Sequence, residues 1–223
     1  MDRSFNNNIC SFWLLIWCLT LLAAWSVAGG AETPKQTILV MGDSLSDAYR
    51  LPENIGWVAQ LATALAPHTQ VVNASISGET SAGGALRLPS LLEDHEPDVV
   101  IIILGGNDGL RALHPNQLES NLSEMIEMAK KAQAMVGLMQ IRLPPNLGPA
   151  YIERFEGIYP QVAQRYDVLL MPFFLVDFFE EDGMIMDDGI HPTAEAQPLM
   201  YESVRPFVDQ LLSSSQTDSE SNL

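Results

Sequence analysis

Four short polar patterns in this chain carry residue types that can act on one another. Ser44 stands in Gly42-Asp43-Ser44-Leu45-Ser46, directly after the apolar run Thr37-Ile38-Leu39-Val40-Met41. Gly78 stands in Ile76-Ser77-Gly78-Glu79-Thr80, and Asn107 in Gly105-Gly106-Asn107-Asp108. His191 stands in Asp187-Asp188-Gly189-Ile190-His191-Pro192-Thr193. A serine hydroxyl attacks poorly unless a neighbouring base takes its proton, and histidine titrates in the range that suits the task. Asp188 lies three residues before His191, with Gly189 letting the chain turn back. A carboxylate so placed can accept the Nδ1 proton and leave Nε2 facing a nucleophile. Asp187 is the adjacent alternative. Charge that develops on a carbonyl oxygen under attack needs fixed donors. The bare backbone at Gly78 and the amide of Asn107 can supply them. Alone, each pattern is ordinary turn chemistry; together they compose the parts of a serine hydrolase.

The other three histidines lack such company. His68 follows Pro67, His95 lies in Glu93-Asp94-His95-Glu96, and His114 precedes Pro115, all surface or turn contexts.

These groups share one kind of position, because each follows an apolar segment. Strands are predicted at Thr37–Met41, Gln70–Ala74, Val99–Leu104, Met135–Met139 and Val168–Met171. Ile101-Ile102-Ile103-Leu104 shows no polar alternation, as a strand covered on both faces requires. Helical patterns fall between them at Ile55–Leu65, Ser81–Leu92, Pro115–Ala134, Ala150–Arg165 and Pro198–Leu212, the last interrupted at Pro206, where a kink or break is expected. Strand and helix in repeated succession imply parallel strands with right-handed crossovers, hence a three-layer α/β/α fold. In such sheets reactive groups gather beyond the carboxyl ends of the strands.

Phe12 to Ala28 is apolar and uncharged (FWLLIWCLTLLAAWSVA), followed by Gly29-Gly30-Ala31. The pattern reads as a signal peptide over residues 1–31, cleaved after Ala28 or Ala31. The remainder, a domain at 32–212 with a polar, disordered tail at 213–223, is of single-domain size at roughly 190 residues. Both cysteines, Cys10 and Cys18, belong to the leader, so the mature domain has no thiol nucleophile and no thiolate for zinc. The net charge of −17 argues against nucleic-acid binding and against docking on anionic lipid. No phosphate-binding glycine pattern follows the first strand.

With these residues in view, the chain resembles the GDSL hydrolases of the SGNH superfamily, whose four letters correspond here to Ser44, Gly78, Asn107 and His191. The matching stretches are Val71-Val72-Asn73-Ala74-Ser75-Ile76-Ser77-Gly78, Leu104-Gly105-Gly106-Asn107-Asp108-Gly109-Leu110-Arg111, Met139-Gln140-Ile141-Arg142-Leu143-Pro144, Ile158-Tyr159-Pro160 and Asp187-Asp188-Gly189-Ile190-His191-Pro192. They extend from Thr37 to about Pro206 and are most similar to a bacterial periplasmic branch of esterases, thioesterases and lysophospholipases. The resemblance implies a five-stranded parallel sheet of flavodoxin-like order, with no metal and no cofactor. It implies Ser44 as nucleophile, His191 as base and Asp188 as its orienter. The Ser44 N–H, the Gly78 N–H and the Asn107 side chain would be the oxyanion donors. The expected partner is a small acyl ester or thioester, met in the periplasm by a monomer without a membrane anchor once the leader is removed. In one place the chain departs from the pattern. Asp47-Ala48 precedes Tyr49 where a member of the family has small residues, Ala-Gly, and the extra carboxylate bears on the preference for anionic substrates or on the pH optimum rather than on the type of reaction.

Apolar residues in the loops after the third and fourth strands, Leu110, Leu113, Leu143 and Pro144 foremost, are candidates to line a groove for an acyl tail. A carbohydrate acetylesterase on the same constellation, or a catalytically silent exported binding protein, are the rival readings.

Overall fold

The unbroken apolar run Val99–Ile103 forms β3, and all five of its side chains are fully buried. This computed structural model describes residues 36–221, with side chains through Ser215. The expected leader, both cysteines and the candidate cleavage points at Ala28 and Ala31 lie outside the described residues. Strand β3 is the middle of a five-stranded sheet with β1 (Gln36–Gly42), β2 (Thr69–Asn73), β4 (Met135–Met139) and β5 (Leu169–Met171). The order is β2-β1-β3-β4-β5 and every pairing is parallel.

Helices cover both faces. Helix α1 (Trp57–Leu65) packs with α7 (Gln197–Ser221). Helix α2 (Ser81–His95) packs with α4 (Pro115–Lys131), which in turn packs with α6 (Ile158–Tyr166). The connection from β1 to β2 runs one way along the sheet and all later ones run the other way. Right-handed crossovers therefore put α1 on one face and α2, α4 and α6 on the opposite face. Helix α4 shows why such segments are helical. Leu118, Leu122, Met125, Ile126 and Ala129 recur at helical spacing and are buried. The His114 ring caps the start by accepting from the Asn116 N–H at 3.2 Å, and Lys130 and Lys131 close the negative end.

Four local expectations are corrected. The helix expected at 150–165 is two, α5 (Pro149–Glu156) and α6, because the chain turns at Gly157 between them. Asn107 sits in a short helix, α3 (Gly106–Leu110), where the glycines had suggested only a turn. Pro206 lies within α7 without ending it. The polar tail expected to be disordered from Ser213 instead continues α7 to Ser221. The hydroxyls of Ser213 and Ser214 donate to the carbonyls of Asp209 and Gln210, a full turn earlier, so serines that look like loop residues satisfy themselves on a helix.

The sheet order also creates the site. Chains leaving β1 and β3 depart in opposite directions, which opens a crevice between two adjacent strand ends. Gly42 and Ile103, the last residues of those strands, are register partners.

Candidate active site

Ser44 is presented by a turn that starts where β1 stops. The Asp43 carbonyl accepts from the N–H groups of Ser46 and Asp47, both at 3.0 Å, and the Asp43 carboxylate accepts from the Leu45 N–H at 3.1 Å. Two other elements hold the turn down: the Trp57 indole donates to the Leu45 carbonyl, and the Asn73 amide donates to the Ser46 carbonyl, each at 2.9 Å. Beyond β2 the ladder continues through Ala74 N–H to Val40 and Ile76 N–H to Gly42, which carries the Gly78 segment alongside the serine turn. Gly78 has φ +82° in a turn closed by Glu79 N–H on the Ile76 carbonyl. That backbone region favours glycine at the third position of the turn. Among the described residues neither the Ser44 N–H nor the Gly78 N–H has an acceptor. Both are uncommitted donors at the mouth of the crevice.

Asn107 comes from β3 through Gly105, whose φ of +120° and tight surroundings exclude a side chain: a Cβ there would lie 2.2 Å from the Tyr159 hydroxyl. That hydroxyl donates to the Leu104 carbonyl at 2.9 Å. Burial first, then the nearby carboxylates, push its pKa well up, so it remains a donor. Next to Asn107, the buried Asp108 accepts from the Ser81 N–H at 2.8 Å and the Ser81 hydroxyl at 2.5 Å, joining α3 to the start of α2. The Asn107 amide itself donates to Asp43 Oδ2 at 3.3 Å. Asp43 is only 2% exposed. Burial raises its pKa to about 6, against the opposing effect of the Leu45 and Asn107 donors.

His191 arrives from the opposite side on a loop that folds on itself. Thr193 N–H donates to Met184, Met186 N–H to His191 and Gly189 N–H to Met186, a narrow hairpin with a single bridge between Ile185 and Pro192. At its tip Asp188 Oδ1 accepts from the N–H groups of Ile190 and His191, both at 3.0 Å, and Oδ2 meets His191 Nδ1 at 2.8 Å. Partial burial works against ionisation, but these bonds together hold the Asp188 pKa down at about 2. His191 Nε2 lies 2.9 Å from Ser44 Oγ. Asp188, not Asp187, therefore meets the ring. The Tyr49 ring lies against the imidazole with centroids 4.1 Å apart, a contact the sequence did not suggest. His68 and His114 are exposed and His95 half-buried, and among the described residues only His191 bonds to Ser44.

A cleft of about 400 Å³ opens at Ser44 and Asn107. Of the candidates for an acyl groove, Leu110, Leu143 and Pro144 are among its lining residues and Leu113 is not. Helix α3 ends at Leu110, and Leu113 lies in the turn that follows, where its carbonyl accepts from the Tyr151 hydroxyl at 2.7 Å. Phe173, Leu175, Val176 and Phe179 also line it, which sequence reasoning overlooked. Their signal was present: they follow β5 as the other site segments follow their strands. Glu156 supports the Leu143 side by accepting from the Leu143 N–H at 2.9 Å.

Residues 40–198 match the GDSL-like Lipase/Acylhydrolase family. The esterase TesA of Pseudomonas aeruginosa is 48% identical over 202 residues, covering 89% of this chain and 98% of that protein. The thioesterase 1/protease 1/lysophospholipase L1 of Escherichia coli strain K12 is 42% identical over 207 residues, covering 91% and 97%. Among solved structures, the psychrotrophic esterase EstA from Pseudoalteromonas sp., inhibited by monoethylphosphonate, superposes with a TM-score of 0.77 at 38% identity, covering 80% of this chain and 100% of that one. A serine and an imidazole within bonding distance at a flavodoxin-type switch point, on a chain so extensively matched, leave one assignment: this protein belongs to the GDSL-like Lipase/Acylhydrolase family, the serine hydrolases of the SGNH type.

Proposed function

We propose that the protein is an exported serine esterase that hydrolyses acyl esters and thioesters, lysophospholipids included, through an acyl-serine intermediate. The observation that carries this reading is the continuous relay from Ser44 Oγ to His191 Nε2 at 2.9 Å and from His191 Nδ1 to Asp188 Oδ2 at 2.8 Å. Ser44 Oγ forms a bond to the carbonyl carbon as its proton passes to His191 Nε2. The carbonyl π electrons move to the oxygen, which the Ser44 N–H, the Gly78 N–H and the Asn107 amide receive. Collapse breaks the C–O or C–S bond, and the imidazolium returns the proton to the leaving group. Water, deprotonated by the same imidazole, then releases the acid and restores Ser44. Asp188 keeps the imidazole in the working tautomer and stabilises its charged form.

The apolar cleft walls suit an acyl tail better than a sugar, which favours acyl substrates over the acetylesterase reading. Export is supported by the apolar run Phe12–Ala28, and no helix among the described residues is long and apolar enough to cross a membrane. A monomer suffices, since one chain supplies every group in the relay.

The test is Ser44→Ala. The variant folds, and its turnover of p-nitrophenyl acyl esters falls by about 10⁴-fold or more. A fluorophosphonate labels the wild type once, on Ser44, and does not label the variant. Retained turnover, or labelling elsewhere, overturns the assignment.

A further inference from the structure

Asp47 brings an extra carboxylate beside the nucleophile turn, and the structure gives that carboxylate specific partners. Oδ2 accepts from the Ser77 N–H at 2.9 Å and from the Ser77 hydroxyl at 2.7 Å. One oxygen thus fixes both the backbone and the side chain of the residue before Gly78. Asp47 is itself held, since its own N–H donates to the Asp43 carbonyl at 3.0 Å. We propose that Asp47 is a positioning residue for the oxyanion-binding turn, clamping Ser77 to the nucleophile turn so that the Gly78 N–H stays aimed at the reacting carbonyl oxygen. This rests on the reading of Gly78 as an oxyanion donor.

The peptide between Ser77 and Gly78 is the middle one of the Ile76–Glu79 turn, and its N–H has no acceptor among the described residues. Nothing bonded to that N–H holds it in place, so its aim depends on the peptides before and after it. Arg111 Nη2 donates to the Gly78 carbonyl at 2.9 Å on the later side, from an exposed side chain. Asp47 holds the earlier side, from a half-buried position. Without Asp47 the earlier side keeps only the Ile76 N–H bond to the Gly42 carbonyl at 3.2 Å, one residue further from the peptide that carries the Gly78 N–H. An alanine at this position has no oxygen with which to accept and would leave Ser77 without the clamp.

The carboxylate also has a contrary effect, because a negative charge near a developing oxyanion opposes it. Two donors on one oxygen moderate that charge, and charge-assisted bonds are also the stronger ones. The clamp and the charge make opposite predictions, which separates them.

Asp47→Ala removes both, whereas Asp47→Asn keeps an acceptor oxygen and removes only the charge. If positioning dominates, Asp47→Ala lowers kcat about five- to twentyfold with KM within about twofold, since an ångström of misplacement is felt mainly in the transition state. Asp47→Asn then stays near wild type. Affinity for an acyl trifluoromethyl ketone, which forms an oxyanion on the serine, falls in Asp47→Ala in step with kcat. Affinity for a fatty alcohol of equal chain length does not. Ser77→Ala, which removes one of the two bonds without altering the nucleophile turn, shows a smaller loss in the same direction. An Asp47→Ala enzyme with unchanged or raised kcat overturns the proposal. So does an equal loss in Asp47→Asn, or a change confined to KM. A wild type that neither turns over esters nor binds the ketone overturns the underlying esterase reading instead.

Discussion

The two sides of the site are held in place by different means. On the strand side, Ser44, Gly78 and Asn107 depend on groups from distant elements: the Trp57 indole, the Asn73 amide, the Tyr159 hydroxyl and the buried carboxylates Asp43 and Asp108. On the other side, the loop carrying His191 closes nearly all its bonds between Met184 and Thr193. Exposure follows the same division, with Asp43 at 2% and Asp108 at 1%, against 35% for the Asp188 side chain. The donors proposed to receive charge are held by buried groups, whereas the arm proposed to move protons is a largely self-contained surface loop. Activity and stability should therefore separate on the arm and fall together on the strand side.

Asp188→Ala gives the largest effect. Loss of the orienting carboxylate should lower kcat on p-nitrophenyl esters by about 10⁴-fold. Thermal unfolding should shift only slightly, because the lost bonds are local and exposed. A melting temperature lowered as far as in the core variant described below would break the distinction. Asn107→Ala comes next, with kcat reduced about 10²- to 10³-fold. Fluorophosphonate labelling of Ser44 should slow in this variant without disappearing, since the nucleophile and base remain paired.

Asp108→Ala sharpens the other half of the contrast. It leaves the Ser81 N–H and hydroxyl without their carboxylate in a buried setting, a loss of about 1–3 kcal/mol in unfolding free energy by denaturant titration. Its kcat should fall less than that of Asn107→Ala, because the donor itself is retained. Unchanged stability would mean that water replaces the carboxylate and that the strand side is less rigid than its bonding indicates.

Local pattern made the strands legible: β3 announces itself because five successive apolar residues need cover on both faces. Ser44 and Asn107 were legible because each follows such a run, and Asp188 with His191 because three residues bring a carboxylate back to its ring. What escaped depends on distance along the chain. The Asp43–Asn107 bond joins positions 64 apart, and no period of two or 3.6 encodes it. The Tyr49–His191 stack is equally remote in sequence, and so are Phe173 and Phe179 from the Leu143 with which they share the cleft lining. Leu113 misled for the opposite reason, since an apolar residue near a strand end looks the same whether its helix continues or stops before it. The tail misled because serine composition resembles a loop, while serine hydroxyls can bond back along a helix.

The smallest effect is the one that sets the two sides directly against each other, because their carboxylates should tilt stability in opposite senses with pH. Asp188 has its pKa held at about 2, below the ordinary 3.8, so the unfolded chain binds the extra proton between those values. Its contribution is present above pH 3.8 and is lost as pH falls towards 2. Asp43 is raised from 3.8 to about 6, so here the folded state binds the extra proton. Its contribution is greatest below pH 3.8 and is lost as pH rises through 6. Denaturant unfolding across pH 2–7 should show the difference between wild type and Asp188→Asn shrinking towards pH 2, and the slope between wild type and Asp43→Asn confined to pH 4–6. Above that range the ionised Asp43 accepts fully from Asn107, so the working site sits on the less stable side of its own titration. If Asp43→Asn leaves that slope unchanged, Asp43 is not titrating there, and the buried anchor of Asn107 stays charged even where burial should neutralise it.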